Sequence, residues 1–164
     1  MVADFKWNPG TGNNGLAASA FTLMADTSEL ASLTNTSYVV SSVSGASGIF
    51  SNVNSAQAAW AELFLTLGAI GSVLTGSAAI AGWFLRSWDG GTTFEQSSVP
   101  PPRPADFFFP LPATTIGAAT TWGASGLVLV PAVKYKVGIQ NNIGQTLAAT
   151  GNLIRAAPVN MQTP

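Results

Sequence analysis

A chain of 164 residues is long enough for one domain that buries roughly 70% of the surface its unfolded form exposes. With no Cys and no His, it excludes disulfides, zinc thiolates, thiol nucleophiles and Ser-His-Asp catalysis. Only 8% of the residues are charged, against about 25% in an ordinary soluble domain. The six cations are scattered, which argues against a nucleic-acid face, and so sparse a charge suits a subunit covered by neighbours.

In chain order, residues 1–15 read as an N-terminal arm carrying two aromatic anchors, Phe5 and Trp7, with residues 2–7 as an edge strand the competing reading. They lack the basic region and apolar segment of a signal peptide, so synthesis in the cytoplasm of a host is expected. Residues 16–24 form a candidate strand. Asp26-Thr27-Ser28-Glu29 places capping residues ahead of a short apolar pattern and predicts a turn or two of helix. Tyr38-Val39-Val40 opens a strand, and Ile49-Phe50 another.

Residues 63–85 carry no charge, with Glu62 at one end and Arg86 at the other. A run of that length can span a bilayer as one helix, and Gly68, Ser72 and Gly76 have the small-residue spacing that packs membrane helices. Period-two alternation favours two strands instead, residues 60–67 and 78–88, joined by a Gly/Ser/Thr-rich hairpin or crossover. The second strand runs into Asp89-Gly90-Gly91, a turn signal that rests on tolerance of positive φ.

Residues 99–104 form a proline-rich extended link, or an SH3-type ligand. Phe107, Phe108 and Phe109 cannot all face one core from a strand, so at least one looks outward or to a partner. Residues 114–122 and 126–130 are two further strands. Val133, Tyr135, Val137 and Ile139 alternate with Lys134, Lys136 and Gly138, the cleanest strand signal in the chain. Asn141, Asn142 and Gly144 are expected in the following turn, residues 146–155 in a last strand with a bulge at Gly151-Asn152, and residues 156–164 in a C-terminal tail. The fold class is therefore all-β: a single antiparallel β-sandwich or jelly-roll-like domain over residues 16–155 with extended termini.

Few residues offer chemistry. Asp89, Glu95 and Asp106 are the carboxylates nearest to a general acid/base group, but turn and solvent roles explain them better, and no motif surrounds them. Asp89-Gly90-Gly91 lacks the alternating acids of a calcium loop. Trp88 either packs beneath a hairpin or stacks on a sugar. No catalytic, cofactor or metal residue is assigned.

Three stretches, residues 60–67, 84–95 and 133–145, resemble small structural proteins of tailed-bacteriophage virions, whose corresponding segments hold a strand ending in a Leu-Asp-Gly-Thr turn and a Lys-x-Lys strand followed by Asn-Asn-x-Gly-Gln. Here Trp88 stands in place of the Leu and Gly91 is an added glycine, which puts that loop's contacts outside the resemblance. The resemblance implies a non-enzymatic capsid decoration or cement protein on the virion exterior that bridges capsomers. Its partners would be the major capsid protein and copies of itself, with a trimer among the options, and no nucleic acid, membrane or small-molecule substrate. A tail or neck component, a carbohydrate-binding or host-recognition module, and a membrane protein spanning residues 63–85 are the alternatives. Phe5, Trp7, Trp88, Phe107, Phe108 and Phe109 are the candidate interface residues.

Overall fold

In the computed structural model, which describes residues 6–8, 22–42, 48–51, 60–95, 98–118, 120–124 and 126–162, the chain forms two antiparallel sheets stacked as a sandwich-like, all-β domain. The first sheet is centred on β5 (Trp60–Leu67) and β11 (Leu153–Gln162). β11 also pairs with β1 (Lys6–Asn8) and β2 (Thr22–Ala25), and β5 pairs with β8 (Thr120–Gly123) and β9 (Val128–Leu129). The second sheet is centred on β6 (Ala79–Arg86) and β10 (Lys134–Asn142), flanked by β7 (Phe107–Pro110) beside β6 and by β3 (Tyr38–Val40) and β4 (Phe50–Ser51) beside β10.

Alternation accounts for β5. Ala61, Leu63, Leu65 and Leu67 are buried, whereas Glu62 is exposed and Trp60, Phe64 and Thr66 are half-buried on the outer side. β6 departs from that pattern, being buried on both faces. Ile80 and Phe84 join the main core, while Ala81, Trp83 and Leu85 form a second cluster with Tyr38, Val40 and Ala105 on the opposite side. β5 and β6 lie in different sheets, so the segment between them is a crossover. It is tied down by a bridge between Ile70 and Ile116. The uncharged run 63–85 is thus spent on two core strands, and among the described residues no helix is long and apolar enough to cross a membrane.

The interior is threaded by aromatic rings. Phe50 stacks on Tyr135 at 5.5 Å, Tyr135 meets Phe84 edge-on at 5.0 Å, and Phe84, Phe107 and Phe109 continue the chain at 5.4 and 5.7 Å. The helix α1 (Thr27–Leu30) forms where the capping residues predict it, with Asp26 accepting from Ser28 N and Glu29 accepting from Asp26 N.

Two expected boundaries move. The segment expected as a tail from residue 156 is strand as far as Gln162, with Ala156 opposite Leu63 and Val159 opposite Trp60. Pro158 lies opposite Ala61 of β5, and on its other side it falls in the gap between the residues that pair with β2 and those that pair with β1, where no described strand stands beside it. Likewise, Lys6, Trp7 and Asn8 of the expected arm pair with Gln162, Met161 and Asn160, so this part of the arm is an edge strand of its own sheet. The bulge predicted at Gly151-Asn152 lies instead between Ile154 and Arg155. Gly151, at φ +83°, turns the chain ahead of β11 against the backbone of Gly68.

Candidate docking surface

The feature that the fold adds to the sandwich is the long connection between β6 and β7, whose described residues, 87–95 and 98–106, fold back over the outer face of the second sheet. It starts with a rigid turn. Ser87 is buried and donates through Oγ to Asp89 Oδ1 at 2.8 Å while accepting from Gly91 N at 2.7 Å. Asp89 also accepts from Thr92 N, Thr93 N and Thr93 Oγ1. These bonds, led by the Thr93 hydroxyl, hold its carboxyl well below the usual carboxylate range. Gly90 and Gly91 take φ of +75° and +100°, the left-handed region that favours glycine.

The other end is clamped by Arg103. Its guanidinium donates to Asp106 Oδ1 at 2.8 Å, Glu95 Oε2 at 2.9 Å and the Phe84 carbonyl at 2.9 Å. Burial pulls the Arg103 pKa down, but the hydrogen bonds it donates to Glu95 and Asp106, with the charges of those carboxylates, outweigh burial and hold the group above its ordinary value. Asp106 Oδ2 in turn accepts from Phe84 N at 2.7 Å, where β7 has ended and left that N–H without a ladder partner. Trp83 Nε1 donates to the Arg103 carbonyl, and Lys136 Nζ sits 4.9 Å from the Phe94 ring centre. The link, together with Tyr38 and Val40 of β3, therefore covers the cluster of Trp83 and Leu85, which is why β6 is buried on both faces. Beside the clamp, Glu95, Pro101, Pro102 and Arg103 line a shallow hollow of about 260 Å³.

Glu95 and Asp106 are thus brought together through Arg103, an ion-paired arrangement in place of the solvent role expected for them. Asp89 is spent on its own turn. The proline run is also occupied, since Pro101 is buried and Arg103 is engaged, which disfavours the SH3-ligand reading. Among the described residues no three acidic side chains converge as a metal-ligand set.

The candidate interface residues divide. Trp88 is 76% exposed at the head of the rigid turn, overturning the expectation that it packs beneath a hairpin. Phe108 is 42% exposed on the outer face of β7, whereas Phe107 and Phe109 are core residues, corrected from interface candidates because a strand sends alternate side chains inward. Trp7 lies in β1, and Phe5 lies outside the described residues. Other exposed apolar groups among the described residues are Leu129, Val73, Val99, Leu127 and Leu23.

Asn141 and Asn142 close β10 instead of forming the turn, and Gly144 at φ +80° makes it. Asn141 is fully buried, donating to the Leu33 and Gln145 carbonyls and accepting from Ile143 N. Asn152 plays the same part at the other sheet: its Nδ2 reaches the Leu30 and Ala148 carbonyls, and its Oδ1 accepts from Gly68 N. Sequence reasoning missed Arg103 and Asn152 as keystones. The available signals were a lone cation in a proline run beside an apolar strand, and an amide flanked by glycine and leucine.

No protein-family model, curated protein or solved structure matches the chain.

Proposed function

We propose that the protein is a structural subunit of a tailed-bacteriophage virion, a capsid decoration or cement protein that binds the shell exterior and bridges capsomers. The observation that carries this reading is a charge-poor exterior from which large apolar side chains project. Of the few charged groups, Arg86, Glu95, Arg103 and Asp106 are drawn into one internal network, while Trp88, Phe108 and Leu129 stand out from the sandwich. Such a surface is poorly suited to a free monomer and well suited to contact with a lattice. The resemblance of three stretches to small virion proteins supports the same class, with the major capsid protein and further copies of this chain as partners. The mechanism is mass action: a subunit that binds only the assembled shell stabilises it in proportion to the logarithm of its occupancy term.

The test is cosedimentation of the purified chain with capsid shells and, separately, with tails of the phage that encodes it. Binding to shells, with a raised temperature of shell disruption, is the expected result. Binding to tails alone would transfer the protein to the tail or neck, and binding to neither would end the proposal. A second reading, a carbohydrate-recognition module, is favoured by the exposure of Trp88 on a rigid turn, where a sugar face can stack. A glycan array in which Trp88→Ala abolishes a specific signal would support it.

A further inference from the structure

Asp89 followed by Gly90 is, among aspartyl dipeptides, the one most open to succinimide closure, because glycine has no side chain to shield its backbone nitrogen. In that reaction Gly90 N attacks Asp89 Cγ and the new C–N bond forms while the amide proton and the carboxyl hydroxyl leave together as water. A second water then opens the ring at either carbonyl, restoring aspartate or leaving isoaspartate with an extra methylene in the main chain.

We propose that the turn at residues 87–93 is a lock that keeps the exposed Asp89-Gly90 junction from modifying itself. Two features of the geometry act together. Both carboxylate oxygens are held by donors from either side in the chain, Oδ1 by Ser87 Oγ, Thr92 N and Thr93 N at 2.8, 3.0 and 2.8 Å, and Oδ2 by Thr93 N and Oγ1 at 3.0 and 2.6 Å. The backbone on the other side is fixed by the left-handed Gly90 and Gly91 and by the bond from Gly91 N to Ser87 Oγ. Closure requires the carboxyl carbon to bond to Gly90 N and to lose one of its oxygens as water, which breaks the bonds that hold that oxygen. It also requires a neutral carboxyl, since hydroxide is a poor leaving group, and the same donors favour the anion. The junction gains a rigid platform for Trp88 without the ageing that the sequence alone invites.

The experiment incubates the intact protein and a synthetic peptide of residues 86–95 under the same buffer and temperature, well below the melting midpoint, and quantifies isoaspartate at position 89 by peptide mapping. The protein is expected to accumulate it at least about tenfold more slowly, because each unit of pKa depression removes nine-tenths of the neutral acid. Thr93→Val and Ser87→Ala, which remove hydroxyl donors to the carboxylate, should each speed accumulation severalfold. Thr92→Val removes a hydroxyl that touches only the Asp89 carbonyl, and should leave the rate unchanged. Equal rates in protein and peptide would overturn the proposal. So would rates in Thr93→Val and Ser87→Ala equal to that of the parent, or an equal acceleration in Thr92→Val, which would point to general loosening of the loop.

Discussion

Replacing Asn152 by Ala tests whether the two buried amides hold the sandwich together. The side chain is fully buried and makes three hydrogen bonds, to Ala148 O at 2.7 Å, Leu30 O at 3.3 Å and from Gly68 N at 3.1 Å. Each contributes about 0.5–1.5 kcal/mol net, the 3.3 Å contact at the low end, and the orphaned buried groups add a desolvation cost of about 1–3 kcal/mol. Partial overlap between the two terms brings the expected loss to about 3 kcal/mol. For a domain of this size that is a fall in melting temperature of about 6–12 °C. Asn142→Ala is the internal comparison, since its amide bonds only to Gln140 Oε1 at 3.1 Å from a partly exposed position, and it should cost about 0.5 kcal/mol or less. Urea unfolding of the three proteins followed by tryptophan fluorescence supplies the assay, with an unchanged slope confirming that the native state is the one affected. A midpoint for Asn152→Ala that matches Asn142→Ala would refute the reasoning.

Gly82→Ala places a methyl group on the ring of Phe107, which is buried beneath it, and overpacking of this kind should cost about 1–3 kcal/mol in thermal or chemical unfolding. Asp89 has a folded pKa below its unfolded value, so its stabilising bonds are present above about pH 4 and fade as the pH falls toward the folded value; the melting advantage of the parent over Asp89→Asn should shrink between about pH 5 and 2. Tyr135 has the opposite sign: burial pushes its phenol up to about 12, so the neutral ring stabilises fully below about pH 10 and is lost as the pH rises through about 12. Alkaline titration should therefore unfold the parent at lower pH than Tyr135→Phe. An identical midpoint would remove Tyr135 from the alkaline transition.

The strands that bury one face were legible because alternation records that burial directly, as in residues 60–67 and around Tyr135. β6 was legible as a strand but not as one covered on both sides, since its cover comes from Arg103 and Asp106 in a segment that looks like a plain proline link. Phe107 to Phe109 gave the right rule, that alternate rings part company, without telling which ring goes outward. That was settled by the register opposite β6, where Phe108 stands across from Ala81. The end of the chain was misread as a tail because residues 156–164 carry no period-two pattern, although residues 153–162 pair with β1, β2 and β5. The roles of Asn141 and Asn152 depend on carbonyls of residues 30 and 33, far away in sequence, which no local pattern encodes.

The pairing of β11 with β5 has a consequence for how the protein is made. β11 runs through the middle of the first sheet, and its partners β1, β2 and β5 were all translated long before it. Until β11 has been made, Leu63, Leu65 and Leu67 have no completed sheet from which to face the core, so folding waits for residues 153–162 and then proceeds through long-range contacts that close slowly. A chain cut short before residue 153 lacks the central strand and stays open to proteases. Synthesis of β11 thereby becomes the step that commits the domain to fold, and a chain truncated before it is cleared with no separate proofreading step.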